Sequence, residues 1–122
     1  MKLKGKLKKI TIIFLTATLF SFTFSDISYG QKIGAYNTSK YVGDGRYDWT
    51  VYIVADRETL GKISYVQYTL HPTFNPAVVK ATNRNKPHPF SITRNGWGEF
   101  NIKVKVVFKN NTYTSFDYYL EL

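Results

Sequence analysis

Two short stretches carry the side chains best suited to holding a small ligand. One is Leu70-His71-Pro72-Thr73-Phe74 and the other is Gly96-Trp97-Gly98-Glu99-Phe100, with Pro87-His88-Pro89-Phe90 between them. Each sets an aromatic ring among Gly or Pro residues, whereas a core aromatic ordinarily sits in a periodic apolar run. The two stretches are expected to converge in space and form an aromatic slot. Facing rings suit a neutral, planar group, each stacked contact adding about 1 kcal/mol. A cation is the other guest of such a slot, but it benefits from a nearby carboxylate, and Glu99 is the one candidate. In an extended segment Glu99 points opposite to Phe100, which favours the neutral ligand.

Other chemistries lack their motifs, although the composition leaves a Ser–His–acid triad open. There is no Cys, and His71 and His88 are the only two His. No His, Cys or carboxylate group has metal-ligand spacing. There is no nucleophile elbow, no paired acidic motif and no Gly-rich phosphate loop leading into a helix. His71 with Glu99 is the only titratable pair worth inspecting for catalysis. The reading is a non-enzyme without metal or cofactor. The formal charge is +9. Lys2, Lys4, Lys6, Lys8 and Lys9, against Asp26 alone, fall within residues 1–30; the remainder holds 12 Lys and Arg against 7 Asp and Glu, a net of +5. Those charges are dispersed, which reads as a solvated surface and not as a nucleic-acid footprint.

Residues 1–30 read as a secretory signal peptide. The five lysines make a positive n-region, and Ile10 to Phe24 is a mostly apolar h-region. Ser28-Tyr29-Gly30 sets small residues three and one before a cut ahead of Gln31, with a cut after Ser25 as second choice. The apolar run is short for a bilayer span, which needs about 20 residues; an uncleaved anchor at residues 10–24 is the rival. Either way the remaining domain, 31–122, is expected to be exported, periplasmic or secreted, and without disulfides it must rely on its core.

The elements that must position the slot are strands. Ten Tyr, nine Phe and frequent Val and Thr favour strands, and strong helix formers are sparse after the N-terminus. Ile33 to Tyr36 is a candidate edge strand, and Gly43-Asp44-Gly45 a turn. Trp49, Val51 and Ile53 share one face of a central strand, with Trp49 as a core anchor. Asp56 to Gly61 reads as a turn. Val66, Tyr68 and Leu70 share the inner face of the next strand, which Pro72 and Pro76 end. Ala77 to Ala81 and His88 to Thr93 are short strands, and Arg94-Asn95-Gly96 is a strong turn signal. Ile102, Val104, Val106 and Phe108 face inward, while Lys103 and Lys105 face out. Phe116, Tyr118, Leu120 and Leu122 form a last inward set. Seven or eight short antiparallel strands without a helix after Gly30 point to an all-β, immunoglobulin-like β-sandwich, with a small barrel as runner-up.

From Trp49 to Leu122 the chain resembles a YEATS domain of the prokaryotic branch. The likeness rests on Trp-x-Val-x-Ile at 49–53, Tyr-x-Leu-His-Pro-Thr-Phe at 68–74 and Pro89-Phe90. It continues through Gly-Trp-Gly-Glu-Phe at 96–100 and Tyr-Tyr-Leu-Glu-Leu at 118–122. The resemblance implies an eight-stranded sandwich whose loops hold an acylated lysine; eukaryotic members read acetyl and crotonyl marks on histone tails. It implies that His71 lines the slot and that Thr73, where the family more often has Ser, offers its hydroxyl to the ligand amide. It further implies that Phe74 and Trp97 clamp the acyl-amide, that the Trp97 backbone N–H binds its carbonyl, and that Gly98 and Phe100 shape the base. An exported chain does not meet histones, so the implied partner is an acylated peptide or protein, or a small acyl ligand.

A four-carbon acyl tail adds about 0.8 kcal/mol per carbon, and a hydroxyl and an amide donor about 1 kcal/mol each. Ordering costs reduce the total to a dissociation constant between about micromolar and millimolar. Each residue also has a plainer role. His71 would bond a loop carbonyl, Thr73 would cap a turn and Phe74 would plug the sandwich end. Glu99 would pair with a lysine or cap a turn. The protein would then be an envelope scaffold that binds a protein partner through an edge strand.

Overall fold

A computed structural model describes residues 32–122. The expected signal peptide and its anchor alternative lie outside the described residues. Within them, seven strands and one short helix follow in the order β1 (Gly34–Gly43), β2 (Arg46–Val54), α1 (Arg57–Lys62), β3 (Ile63–Thr69), β4 (Val78–Ala81), β5 (Ile92–Gly96), β6 (Asn101–Phe108) and β7 (Tyr113–Tyr119). They form two antiparallel sheets, β1-β2-β5 and β4-β3-β6-β7. This is the immunoglobulin-like sandwich, with seven strands where the family resemblance implied eight.

The period-two alternation dictates the core. Trp49, Val51 and Ile53 from one sheet meet Val66, Tyr68, Ile102, Val104 and Val106 from the other, all essentially without exposure. Tyr118, Leu120 and Leu122 close one flank. Most polar side chains inside the sandwich are paired, as their desolvation demands, whereas Trp49 Nε1 is buried without a hydrogen-bond partner among the described residues. Asn37 is buried on β1; its Oδ1 accepts from the Tyr118 hydroxyl at 2.6 Å and from Glu121 N at 3.2 Å, and its Nδ2 donates to Glu121 O at 2.7 Å. One side chain thus ties the edge of the first sheet to the end of the chain.

Several local expectations change. The first strand runs to Gly43, well past Tyr36, because its hairpin with β2 pairs Gly34 with Val54 through to Gly43 with Arg46. Gly43, Asp44 and Gly45 all take positive φ in the connecting turn. Asp56 to Gly61 is not a simple turn. Asp56 caps α1, its Oδ1 accepting from Thr59 N at 2.7 Å, and Glu58 and Lys62 sit where the helix dipole favours them.

The strand placed at His88–Thr93 begins only at Ile92. Phe90, fully buried with φ 52°, sits in a turn held by its N–H on Asn83 O and its carbonyl under the Tyr68 hydroxyl. Arg94-Asn95-Gly96, expected as a turn, is instead the end of β5, where Asn95 pairs with Asp48 and Gly96 with Tyr47. An Asn-Gly hairpin needs the following strand to return alongside. Here β6 joins the opposite sheet, so residues 97–100 cross the sandwich end, and β6 starts at Asn101 instead of Gly98.

Candidate ligand-binding cleft

The crossing loop 97–100 and the loop that follows β3 meet at one end of the sandwich. Between them lies a cleft of about 270 Å³, lined by His71, Thr73, Phe74, Trp97, Gly98, Glu99 and Phe100, with Arg46, Asn95 and Gly96 at its side. All six residues predicted for the slot (His71, Thr73, Phe74, Trp97, Gly98 and Phe100) therefore line one cavity.

The loop after β3 is closed by Leu70 N donating to Ala77 O at 2.8 Å, and inside it Phe74 N donates to His71 O at 2.9 Å. The second bond makes a tight turn that lifts Thr73 to its apex and turns Phe74 back toward the core. Among the described residues His71 bonds no loop carbonyl through its ring. Its Nδ1 accepts the Thr73 backbone N–H at 3.2 Å, and the Thr73 hydroxyl lies 2.9 Å from the same nitrogen. An imidazole nitrogen that accepts an N–H carries no hydrogen itself. The Thr73 hydroxyl is therefore the donor to His71, and its oxygen lone pairs are left to accept from a ligand.

Phe74 and Phe100 form the floor. Their ring centroids are 5.6 Å apart, and each meets Trp49 edge-on, at 5.9 and 6.1 Å. His71 adds an edge contact to Phe100 at 5.9 Å. Each such pair contributes about 1 kcal/mol beyond its buried area, so the floor is rigid and continuous with the core. A Cβ at Gly96 would lie 3.4 Å from Phe74 Cζ and 3.5 Å from Trp49 Nε1, in ordinary contact, and any longer side chain would enter the floor. Gly96 thus serves close approach, not turning.

Trp97 is the opposite case. It is 71% exposed, and among the described residues its indole makes no ring contact. A large aromatic left in water on the lining of a cleft that also holds Phe74 and Phe100 has surface that a guest could bury.

Among the described residues Glu99 neither pairs with a lysine nor caps a turn. Its Oε2 accepts from Leu122 N at 2.9 Å and its Oε1 from the Tyr119 hydroxyl at 3.3 Å, while Leu120 N donates to Phe100 O at 2.9 Å. The loop that carries Trp97 is therefore pinned to the chain end. The Tyr119 phenol is pushed above its ordinary value, first by desolvation and then by the Glu99 charge. Among the described residues His71 and Glu99 form no bond with each other: the imidazole is engaged with Thr73, the carboxylate with the chain end. No group of three His or carboxylates is placed to hold a metal among those residues.

Sequence reasoning missed Arg46, Asn95 and Gly96 at the cleft wall. On the exposed end of the β1-β2-β5 sheet, Arg46 Nε donates to Asn95 Oδ1, and Asn95 Nδ2 donates to Asp48 Oδ1 at 2.8 Å. Reading Asn95-Gly96 as a turn hid this. Trp49 was read as a core anchor, which it is at 1% exposure; alternation gave no sign that its other edge underlies the slot.

A family model for the prokaryotic YEATS domain matches residues 47–121. Among solved structures, the Yaf9 YEATS domain bound to H3K27ac is similar at 25% identity and TM-score 0.57, over 74% of each chain. The same domain recognising an H3K122suc peptide gives 26% and 0.57, again over 74% of each chain. The yeast AF-9 homolog protein Yaf9 gives 28% and 0.61, over 74% of this chain and 66% of that one. With its sandwich, its two site loops and a family match across more than half its length, the chain belongs to the prokaryotic YEATS domain family.

Proposed function

We propose that the protein is a non-catalytic binding module that holds a planar acyl-amide, of the acyl-lysine type, between Trp97 and the Phe74–Phe100 floor. The observation that carries this reading is that an exposed indole and a core-locked aromatic floor line the same cleft. The Thr73 oxygen, its hydrogen committed to His71, is set to accept the ligand N–H. The similar Yaf9 domain is described with acetylated and succinylated histone H3. Residues 1–30 are proposed to export this chain, so its partner is an acylated peptide, an envelope protein or a small acyl ligand and not a histone. Calorimetric titration with acetylated, butyrylated, methylated and free lysine peptides tests this. Acyl peptides should bind in the micromolar to millimolar range, and Trp97→Ala should abolish binding while the melting temperature holds.

A second reading has its own observation. Strand β1 has ten residues, neighbours only β2 and carries Lys40 as its single charge, with Tyr41 and Val42 exposed. Edge strands so lightly guarded serve strand addition. An envelope partner captured equally by wild type and Trp97→Ala would favour this scaffold role.

A further inference from the structure

The outer face of the β4-β3-β6-β7 sheet carries a pattern that the cleft does not use. Alternation turns Tyr65 and Gln67 of β3, Lys105 and Val107 of β6, and Tyr113 and Ser115 of β7 away from the core. The register sets Lys80, Gln67, Lys105 and Ser115 in one row across the four strands, and Tyr65, Val107 and Tyr113 in the next. Lys80 Nζ lies 4.1 Å from the Tyr65 ring centroid, and Lys105 Nζ lies 4.5 Å from that of Tyr113. Two like units, each an ammonium over a phenol ring, therefore stand side by side. Exposed lysines are commonly mobile; a ring face under the charge holds it in place and leaves its outer donors to a guest.

Spacing and neighbours define the guest. Lys80 and Lys105 have one strand, β3, between them, so their backbones stand about 10 Å apart. In the same row the Gln67 amide lies between them and the Ser115 hydroxyl beyond Lys105, neutral groups that bond hydroxyls. A third lysine of this face, Lys103, lies opposite Asp117 across the β6–β7 ladder, so its charge is balanced. An extended acidic peptide presents same-side carboxylates about 7 Å apart, short of the spacing here. Lipid-surface recognition draws on about four to eight clustered cations, and this row has two. Base stacking needs free ring faces, whereas both of these rings lie under an ammonium. What fits is a chain of hydroxyl-rich rings with carboxylates at wider intervals.

We propose that this face binds a linear acidic glycan, its carboxylates on Lys80 and Lys105 and its hydroxyls on Gln67, Ser115 and Tyr113. None of these residues lines the Trp97 cleft, and the site does not depend on the acyl-amide reading. A chain exported as proposed above meets such polymers in the envelope. Lys80 and Lys105 are dispersed along the sequence; the pairing of β3 with both β4 and β6 brings them into one row.

The probe is a hexamer of galacturonic acid, titrated calorimetrically into the wild-type protein at low and high salt beside its methyl ester, a hexaglutamate peptide and a hexathymidylate. The variants are Lys80→Gln/Lys105→Gln and a charge-matched control, Lys40→Gln/Lys86→Gln, whose lysines lie on β1 and in the loop after β4. The acid hexamer should bind about tenfold tighter than its ester, as charge-assisted bonds imply, and more weakly at high salt. Lys80→Gln/Lys105→Gln should lose about that tenfold while the melting temperature holds. The control pair and Trp97→Ala should change the affinity less than about twofold. Failure of the acid hexamer to bind, equal binding of the ester, or an equal loss in the control pair overturns the proposal. Hexaglutamate or hexathymidylate bound as tightly as the hexamer, through the same two lysines, overturns the glycan assignment.

Discussion

The Thr73 hydroxyl donates to His71 Nδ1, the same nitrogen that accepts the Thr73 backbone N–H. Two donors from one residue thus fix the imidazole tautomer, and the imidazole fixes which way the hydroxyl hydrogen points. The oxygen faces the cleft with acceptor capacity only. That is the polarity an acyl-amide N–H requires, and it is set before any ligand arrives, so little ordering cost remains at binding.

Thr73→Val keeps the shape of the side chain and removes the acceptor. It should weaken an acyl-lysine peptide about tenfold, since a bound amide N–H left without a partner costs on the order of 1–3 kcal/mol. Calorimetric titration reads the loss. The denaturation midpoint should hardly move, because Thr73 is exposed.

The two faces of the cleft should respond differently to truncation. Trp97→Ala removes an exposed ring and should leave stability within about 0.5 kcal/mol of wild type. Phe74→Ala strips contacts to Trp49 and Phe100 and should cost about 2 kcal/mol. Both should lose ligand binding. Urea unfolding of the two variants checks the contrast.

Asn37 joins the two sheets through three hydrogen bonds to Tyr118 and Glu121. Asn37→Ala leaves buried polar groups without that partner and should destabilise the domain by about 2–3 kcal/mol. Tyr118→Phe removes one bond and should cost less. Burial pushes the Tyr118 phenol far above its ordinary value, so it stays neutral and donating through the working range. Denaturation midpoints should rank wild type, Tyr118→Phe and Asn37→Ala in falling order.

The Asp56 carboxyl is held below its ordinary value of 3.8, first by the Thr59 backbone N–H and then by the Thr59 side chain. A folded value below the unfolded one means the cap's charge-dependent contribution is complete above about pH 4 and lost as pH falls through the folded value. Melting temperature measured from pH 6 to pH 2 should show this loss in wild type. Asp56→Asn, which caps without a charge, should have a flatter profile over the same acid range.

Much of the fold was legible because alternation is a local signal. Ile102, Val104 and Val106 declare their inner face in eight residues, and Trp49, Val51 and Ile53 do the same. The cleft was legible in its aromatic and Pro/Gly loops, which have no role in a periodic core. What stayed hidden depended on long-range pairing. Asn95-Gly96 carries a hairpin signal that loses to cross-strand bonds with Arg46 and Asp48 from β2. The left-handed backbone of Phe90 is held by bonds to Asn83, seven residues back, and to Tyr68, twenty-two residues back. Glu99 finds its partners at the end of the chain, beyond the reach of any local pattern.

The most direct measurement uses the fact that the chain has only two Trp. An amide correlation spectrum of the 15N-labelled protein should hold two indole N–H peaks, assigned by Trp97→Ala, with Trp49 buried and Trp97 in water. Titration with a butyryl-lysine peptide should move the Trp97 peak strongly and saturably, while the unmodified lysine peptide leaves it in place. If the Trp97 peak stays put at millimolar acyl peptide, or moves equally with unmodified lysine, nothing enters between that ring and the floor, and the binding account is wrong.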